Sequence, residues 1–196
     1  MKRLGRLSAA VLLILVIGAV LLLTSRDFLE RIFPISYVTE INGAAVEYGL
    51  DPYLALAVIR VESNFRPRAR SSVDARGLMQ ILPETGRWIA EMKGLGEFDP
   101  ESLYDPVVNI DFGCWYLNYL LKMFEQDEHL TLAAYNAGLG RVRRWLADEE
   151  WNGRPETVNM IPFSETRFFV RRVLAIREIY QLIYPDLFAM DGEEQS

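Results

Sequence analysis

A chain of 196 residues, 51% of them hydrophobic, can bury one full core and carry a modest appendage; that share suits a globular protein with one membrane segment. Its one cysteine, Cys114, excludes an intrachain disulfide or a cysteine-based zinc cluster, and its one histidine, His129, excludes a histidine-rich metal site. The net charge of −6 becomes more negative once Lys2, Arg3 and Arg6 are set aside, so nucleic acid and anionic lipid are poor partners for the rest. An anionic partner would need local clusters such as Arg66, Arg68, Arg70 and Arg76.

The first segment stands apart. Lys2, Arg3 and Arg6 precede an apolar run at residues 7–23, broken only by Ser8 and Gly18, which is long enough to span a bilayer. No small-x-small cleavage site follows Leu21-Leu22-Leu23-Thr24-Ser25-Arg26, so the run reads as an uncleaved anchor. The basic flank places the N-terminus in the cytoplasm and the remainder on the extracytoplasmic side of the cell membrane. Residues 1–33 are thus expected to be flank, transmembrane helix and juxtamembrane stretch, ending at Pro34. Residues 34–186 are expected to form one folded domain, and 187–196 an acidic, disordered tail.

From Pro34 onward the apolar spacing is helical throughout. Val38, Ile41, Ala45 and Tyr48 share one face, with Gly49 as a C-terminal cap. Asp51-Pro52 reads as an N-cap and first helical residue, opening a helix that carries Glu62 near its end. A loop rich in Ser, Pro and Arg covers residues 66–76, a short helical turn is expected at 77–81, and Pro83 precedes a helix over 84–92. Asp105-Pro106 opens another helix through Phe124, with Cys114 as a buried small hydrophobe. His129 reads as an exposed loop residue, and no Gly-x-Ser-x-Gly elbow accompanies it. Short helices at 130–136 and 141–146 flank Gly138 and Gly140, and a long one covers 164–184. No strand-like alternation persists: the expected class is all-α, with about seven helices.

Glu62 is the residue with the most chemistry in it. Among Leu54, Ala55, Val58, Ile59 and Val61 its ionisation is costly, which raises its pKa. A carboxylic acid still protonated near neutrality can donate to a leaving oxygen, as glycoside cleavage requires. Taken alone, a glutamate at a helix end is more often solvated or salt-bridged.

The wider constellation is more specific. Glu62-Ser63-Asn64-Phe65, Ser71, Gly77-Leu78-Met79-Gln80-Ile81-x-Pro83, Ala133-Ala134-Tyr135-Asn136-Ala137-Gly138-x-Gly140 and Ile161-Pro162-x-x-Glu165-Thr166 resemble the bacterial lytic transglycosylase family with the soluble-lytic-transglycosylase catalytic domain. The resemblance covers residues 35–184 and implies a lysozyme-like, goose-type helical fold acting on peptidoglycan glycan strands without cofactor or metal. It implies that Glu62 protonates the β-1,4 oxygen between N-acetylmuramic acid and N-acetylglucosamine. Glu62 then takes the proton of the muramic acid 6-hydroxyl, giving a 1,6-anhydro end. Glycosidases normally need a second carboxylate, but a hydroxyl already held beside the anomeric carbon makes one acid sufficient.

The resemblance further implies that Ser71, Met79, Gln80, Tyr135 and Asn136 bind substrate, with the Tyr135 hydroxyl near Glu62 and Ser71 and Gln80 orienting Glu62 or the sugar. Met79 reads equally well as core. Glu165, at a helix start where ionised carboxylates are stabilised, reads as a cap and ion-pair partner. One departure stands out: Asp74 occupies a position where the family usually has glycine. Aspartate tolerates left-handed backbone, so the turn survives. If Asp74 adds a carboxylate to the cleft, a hydrolytic, goose-type lysozyme reaction becomes the alternative. A non-catalytic peptidoglycan-binding module is the other.

Overall fold

The computed structural model describes residues 13, 16–18 and 25–188. Two compact units divide the chain, residues 1–34 and 35–196. Within the first, helix α1 covers Arg26–Ile32 and carries an Arg26–Glu30 ion pair at 2.8 Å. Among the described residues no helix is long and apolar enough to cross a membrane. The span expected at residues 7–23 lies almost wholly outside them, as do residues 189–196 of the expected tail.

The second unit is helical: α2 (Val38–Tyr48), α3 (Pro52–Glu62), α4 (Pro83–Met92), α5 (Pro106–Met123), α6 (Glu128–Ala137), α7 (Leu139–Ala147) and α8 (Ser164–Ile183). Two 3-10 turns, Pro100–Tyr104 and Pro155–Met160, lie between them. The caps are local and chemical. Gly49 closes α2 in the left-handed conformation at φ 65°. Asp51 accepts from the Tyr53 N–H at 2.9 Å, with Pro52 at the first helical position of α3. Asp105 caps α5 in the same way, and Asp127 caps α6 through the Leu130 N–H at 2.9 Å. That second cap explains why α6 begins before residue 130. It also corrects the reading of His129, which sits half-buried in the first turn of α6 rather than in an exposed loop.

Helix α3 is the axis of the unit. Leu54, Ala55, Leu56, Ala57, Val58 and Ile59 are all 0–1% exposed, so the helix is apolar on every side and must be enclosed. It packs against α2 and along α8, which presents Thr166, Phe169, Val170, Val173, Tyr180 and Ile183 at helical spacing. Burying one side chain such as Val, Ile or Phe contributes about 1.5–3 kcal/mol, so this stripe is a main tie between α8 and the core. Arg177 on α8 reaches Glu128 at 2.6 Å and lies 3.8 Å from Asp51, tying α8 to the starts of α6 and α3.

The segment 69–81 is not the helical turn expected at 77–81. Arg76 pairs with Arg70 on one side and Ile81 on the other as isolated antiparallel bridges, and residues 77–80 form a tight turn between them. Gly77 is required there: its φ is +77°, and a Cβ would lie 2.2 Å from both the Asn109 amide and the Leu103 carbonyl oxygen. Asn109, fully buried on α5, secures this turn. Its Oδ1 accepts from Met79 N–H at 2.7 Å, and its Nδ2 donates to the carbonyls of Arg76 (2.9 Å) and Leu103 (2.7 Å).

Candidate active site

Glu62 ends α3 where its apolar sheath opens. Beyond it, Ser63 turns its hydroxyl back to the Ile59 carbonyl at 3.1 Å, and Asn64 and Phe65 adopt φ of 54° and 59°, which stops the helix. The Glu62 carboxyl is therefore delivered to the rim of the core. It sits where two cavities meet, of about 520 and 740 Å³, which share Glu62, Ser71 and Gln80. No hydrogen bond or ion pair among the described residues engages it. Loss of water pushes its pKa up to about 8, and the negative charge of Glu165 adds to the rise.

The smaller cavity is walled by helices and by residues of the 71–82 segment. Tyr116 from α5, Tyr135 and Asn136 from α6, Arg141 from α7 and Glu165 from α8 all line it. Tyr135 donates its hydroxyl proton to the Met79 carbonyl at 2.8 Å, so the hydroxyl expected beside Glu62 is committed to the 77–80 turn. Burial, with the charge of Glu62 second, keeps that phenol protonated well above its ordinary range. Its ring lies 5.5 Å from Tyr116 and stacks over Phe169 at 6.3 Å, linking α6 to α5 and α8. Tyr116 continues outward to Trp88 at 6.0 Å, and Trp88 meets Tyr119 at 5.0 Å.

Four of the five expected substrate-binding residues line this cavity: Ser71, Gln80, Tyr135 and Asn136. None hydrogen-bonds Glu62; each has spent part of its capacity on the frame and kept part. The Ser71 hydroxyl oxygen accepts from the amides of Ala75 (3.0 Å) and Val73 (3.3 Å), leaving its proton to donate. The Gln80 Nε2 donates to the carbonyls of Gly77 (2.9 Å) and Ala69 (3.2 Å), leaving Oε1 to accept. Asn136 Oδ1 accepts from the Thr166 hydroxyl at 2.8 Å, leaving its amide hydrogens. Met79 is the exception: it is 0% exposed and lines neither cavity, the place its core reading gives it. Its part is to anchor Tyr135 from beneath.

Of the two acids, Asp74 stands apart from the cavities and Glu165 lines one. Asp74 does take the left-handed backbone, at φ 66°, but its carboxylate is clamped by Arg76 (3.0 Å) and Arg70 (2.6 Å) and lines neither cavity. The same arginines hold its carboxyl below the usual carboxylate range. Glu165 makes no cap hydrogen bond at the start of α8; it is exposed and faces the cavity that holds Glu62. Among the described residues no group of three or more His, Cys, Asp or Glu side chains could hold a metal ion.

Comparison with known proteins points in one direction. Residues 39–158 match the Transglycosylase SLT domain. The soluble lytic murein transglycosylase of Escherichia coli (strain K12) is 38% identical over 164 residues, which is 82% of this chain and 25% of that protein. The membrane-bound lytic murein transglycosylase C of Photorhabdus laumondii is 37% identical over 123 residues, covering 58% of this chain and 34% of that protein. Among solved structures, an inactive glutamate-to-glutamine variant of lytic transglycosylase Slt from Pseudomonas aeruginosa superposes with a TM-score of 0.71 at 36% identity. That match covers 80% of this chain and 25% of the other. The chain thus spans about a quarter of the length of the soluble relatives it matches.

Proposed function

This chain belongs to the Transglycosylase SLT domain family, and from that premise we propose that it is a peptidoglycan lytic transglycosylase with Glu62 as its single acid and base. The observation that carries this reading is the state of Glu62: an unpartnered carboxyl, its pKa pushed up to about 8, at the junction of two cavities. At neutral pH it holds a proton. It gives that proton to the glycosidic oxygen as the bond from that oxygen to the anomeric carbon breaks. The muramic acid 6-hydroxyl oxygen then bonds to the anomeric carbon, and its proton returns to Glu62. The cycle closes with the residue as it began, and water takes no part.

The remaining walls bind the sugars. The Ser71 proton and the Asn136 amide donate to acetamide or ring oxygens, and Gln80 Oε1 accepts from an N–H or hydroxyl. Tyr135 and Tyr116 offer aromatic surface against which a pyranose packs. A hydrolytic reaction is the second reading, and one observation favours it: Glu165 shares the cavity with Glu62. In that reading Glu165, not Asp74, supplies the second carboxylate.

The apolar run at residues 7–23 anchors the chain in the cell membrane, with the catalytic domain on the extracytoplasmic side. The basic flank of Lys2, Arg3 and Arg6 supports this, as does the likeness to a protein named as membrane-bound. Full-length protein should sediment with membranes and a chain lacking residues 1–33 should not.

Incubating purified sacculi with the full-length protein and its Glu62→Gln variant tests the assignment. The unsubstituted protein should release muropeptides and the variant should bind sacculi without cutting them. Cleavage by the variant at the unsubstituted rate would remove Glu62 from the reaction.

A further inference from the structure

Helix α8 has a second face that the Glu62 site does not use. While Phe169, Val170, Val173 and Tyr180 turn inward, the opposite side looks into solvent. On that outer side Phe168 is 66% exposed and Leu182 79% exposed, with exposed Ala175 midway between them. The spacing of seven residues sets all three on one line along the helix, about 21 Å from end to end. Half-buried Ile179 lies on the same stripe. A cavity of about 830 Å³ runs beside it, between the Phe168 to Glu178 stretch and the 3-10 turn Pro155–Met160. It shares no residue with the cavities at Glu62.

Charge divides this face in two. Arg171 and Arg172 stand toward its start and Glu178 toward its end, all of them exposed. Arg171 is committed to Asn159 Oδ1, to which it donates at 3.1 Å. Arg172 and Glu178 have no hydrogen-bond or ion-pair partner among the described residues. The pattern is symmetric about Ala175: Phe168 and Leu182 lie seven residues either side of it, Arg172 and Glu178 three. A helix laid antiparallel across α8 and centred there must offer an apolar side chain to Phe168, an acid to Arg172 and a cation to Glu178. Helix α8 of another copy of this chain supplies all three in that order. The small side chain at the centre lets the two backbones approach where they cross.

We propose that two copies of this chain pair through the outer faces of α8, antiparallel, about a twofold axis at Ala175. Each contact then occurs twice, as in any isologous interface: Phe168 of each copy packs on Leu182 of the other, and Arg172 of each meets Glu178 of the other. An anionic membrane surface would attract the arginines but repel Glu178 on the same face, so a second copy fits the whole pattern where a bilayer fits half of it.

A pair this short buries less than a standard interface, so chemical trapping is the way to read it. The test uses purified full-length protein in which fully buried Cys114 is replaced by alanine and one cysteine is placed on α8. With a short bifunctional maleimide, Ala175→Cys should give a covalent dimer. Gln181→Cys, exposed but off the stripe, should give about tenfold less. Phe168→Cys and Leu182→Cys should each fail to link to itself, because twin positions lie about 21 Å apart along the pair, whereas a mixture of the two should link. In the Ala175→Cys protein, Arg172→Glu should cut linking about tenfold, since two ion pairs become two repulsions, and adding Glu178→Arg should restore it. Equal linking at 175 and 181, self-linking of Phe168→Cys, or linking indifferent to the charge changes overturns the proposal. No linking at all, with the thiol at 175 shielded from a maleimide dye in vesicles of anionic but not neutral lipid, overturns it in favour of a membrane surface.

Discussion

The two cavities that meet at Glu62 are built from different materials. The smaller is walled on one side by residues of the 71–82 segment and on the other by residues on α5, α6, α7 and α8, joined by ring contacts and by hydrogen bonds such as Tyr135 to Met79 and Thr166 to Asn136. The larger is walled mostly by residues 65–71, with Glu62 and Gln80, and of its lining only Arg66, Arg68 and Arg70 are exposed. Helices hold the groups that must sit within a fraction of an ångström of a reacting bond. A loop suffices for charges that act over several ångströms.

The largest effect should come at the junction. Glu62→Gln is expected to lower the cleavage rate about a thousandfold, the scale of a lost general acid, measured by muropeptide release. Its stability should change in a sense set by pH. Folded Glu62 keeps its proton up to about 8, whereas the unfolded group loses it in the ordinary carboxylate range. The stability from the protonated form is therefore full below that range and is lost as pH rises towards 8. Glu62→Gln, which does not ionise, should gain in thermal midpoint relative to the unsubstituted protein as pH rises through that window.

Next in size is the buried brace of the helical frame. Asn109→Leu removes three hydrogen bonds and strands the Met79 amide and the Leu103 carbonyl, while the Arg76 carbonyl keeps its bond from the Ile81 N–H. A loss of about 3 kcal/mol is expected in denaturant unfolding, with cleavage reduced because Ser71 and Gln80 lose their setting. A smaller effect tests the acid across the smaller cavity. Glu165→Gln removes a negative neighbour and lowers the Glu62 pKa, so the alkaline limb of the cleavage profile should move to lower pH. An unmoved limb would uncouple the two carboxylates. Smallest is Asp74→Asn: its carboxylate lines neither cavity and its pair with Arg70 is solvent-exposed, so the thermal midpoint should change little and the products not at all.

What was legible in the sequence was what local chemistry decides. Gly49, Asp51-Pro52 and Asp105-Pro106 act within one turn of the chain, and the apolar sheath of Glu62 comes from its own helix. What was not legible depends on contacts between distant segments. Asn109 reads as an ordinary polar residue on α5 until the 76–79 turn is laid against it. Glu165 reads as a cap because position at a helix start is a local fact, whereas facing Glu62 across a cavity is not. Asp74 beside Arg70 and Arg76 in the chain could have been read as a clamp from spacing alone. Met79 could not have been assigned from its motif, because a buried methionine and one touching a sugar leave the same trace in sequence.

The central claim is that one protonated carboxyl suffices and the substrate supplies its own nucleophile. Mass analysis of muropeptides released from purified sacculi by the full-length protein tests it most directly. The account predicts 1,6-anhydro-muramic acid ends, lost together with all cleavage in Glu62→Gln. Reducing muramic acid ends, carrying an oxygen from solvent water, would contradict it and make Glu165 the second catalytic carboxylate.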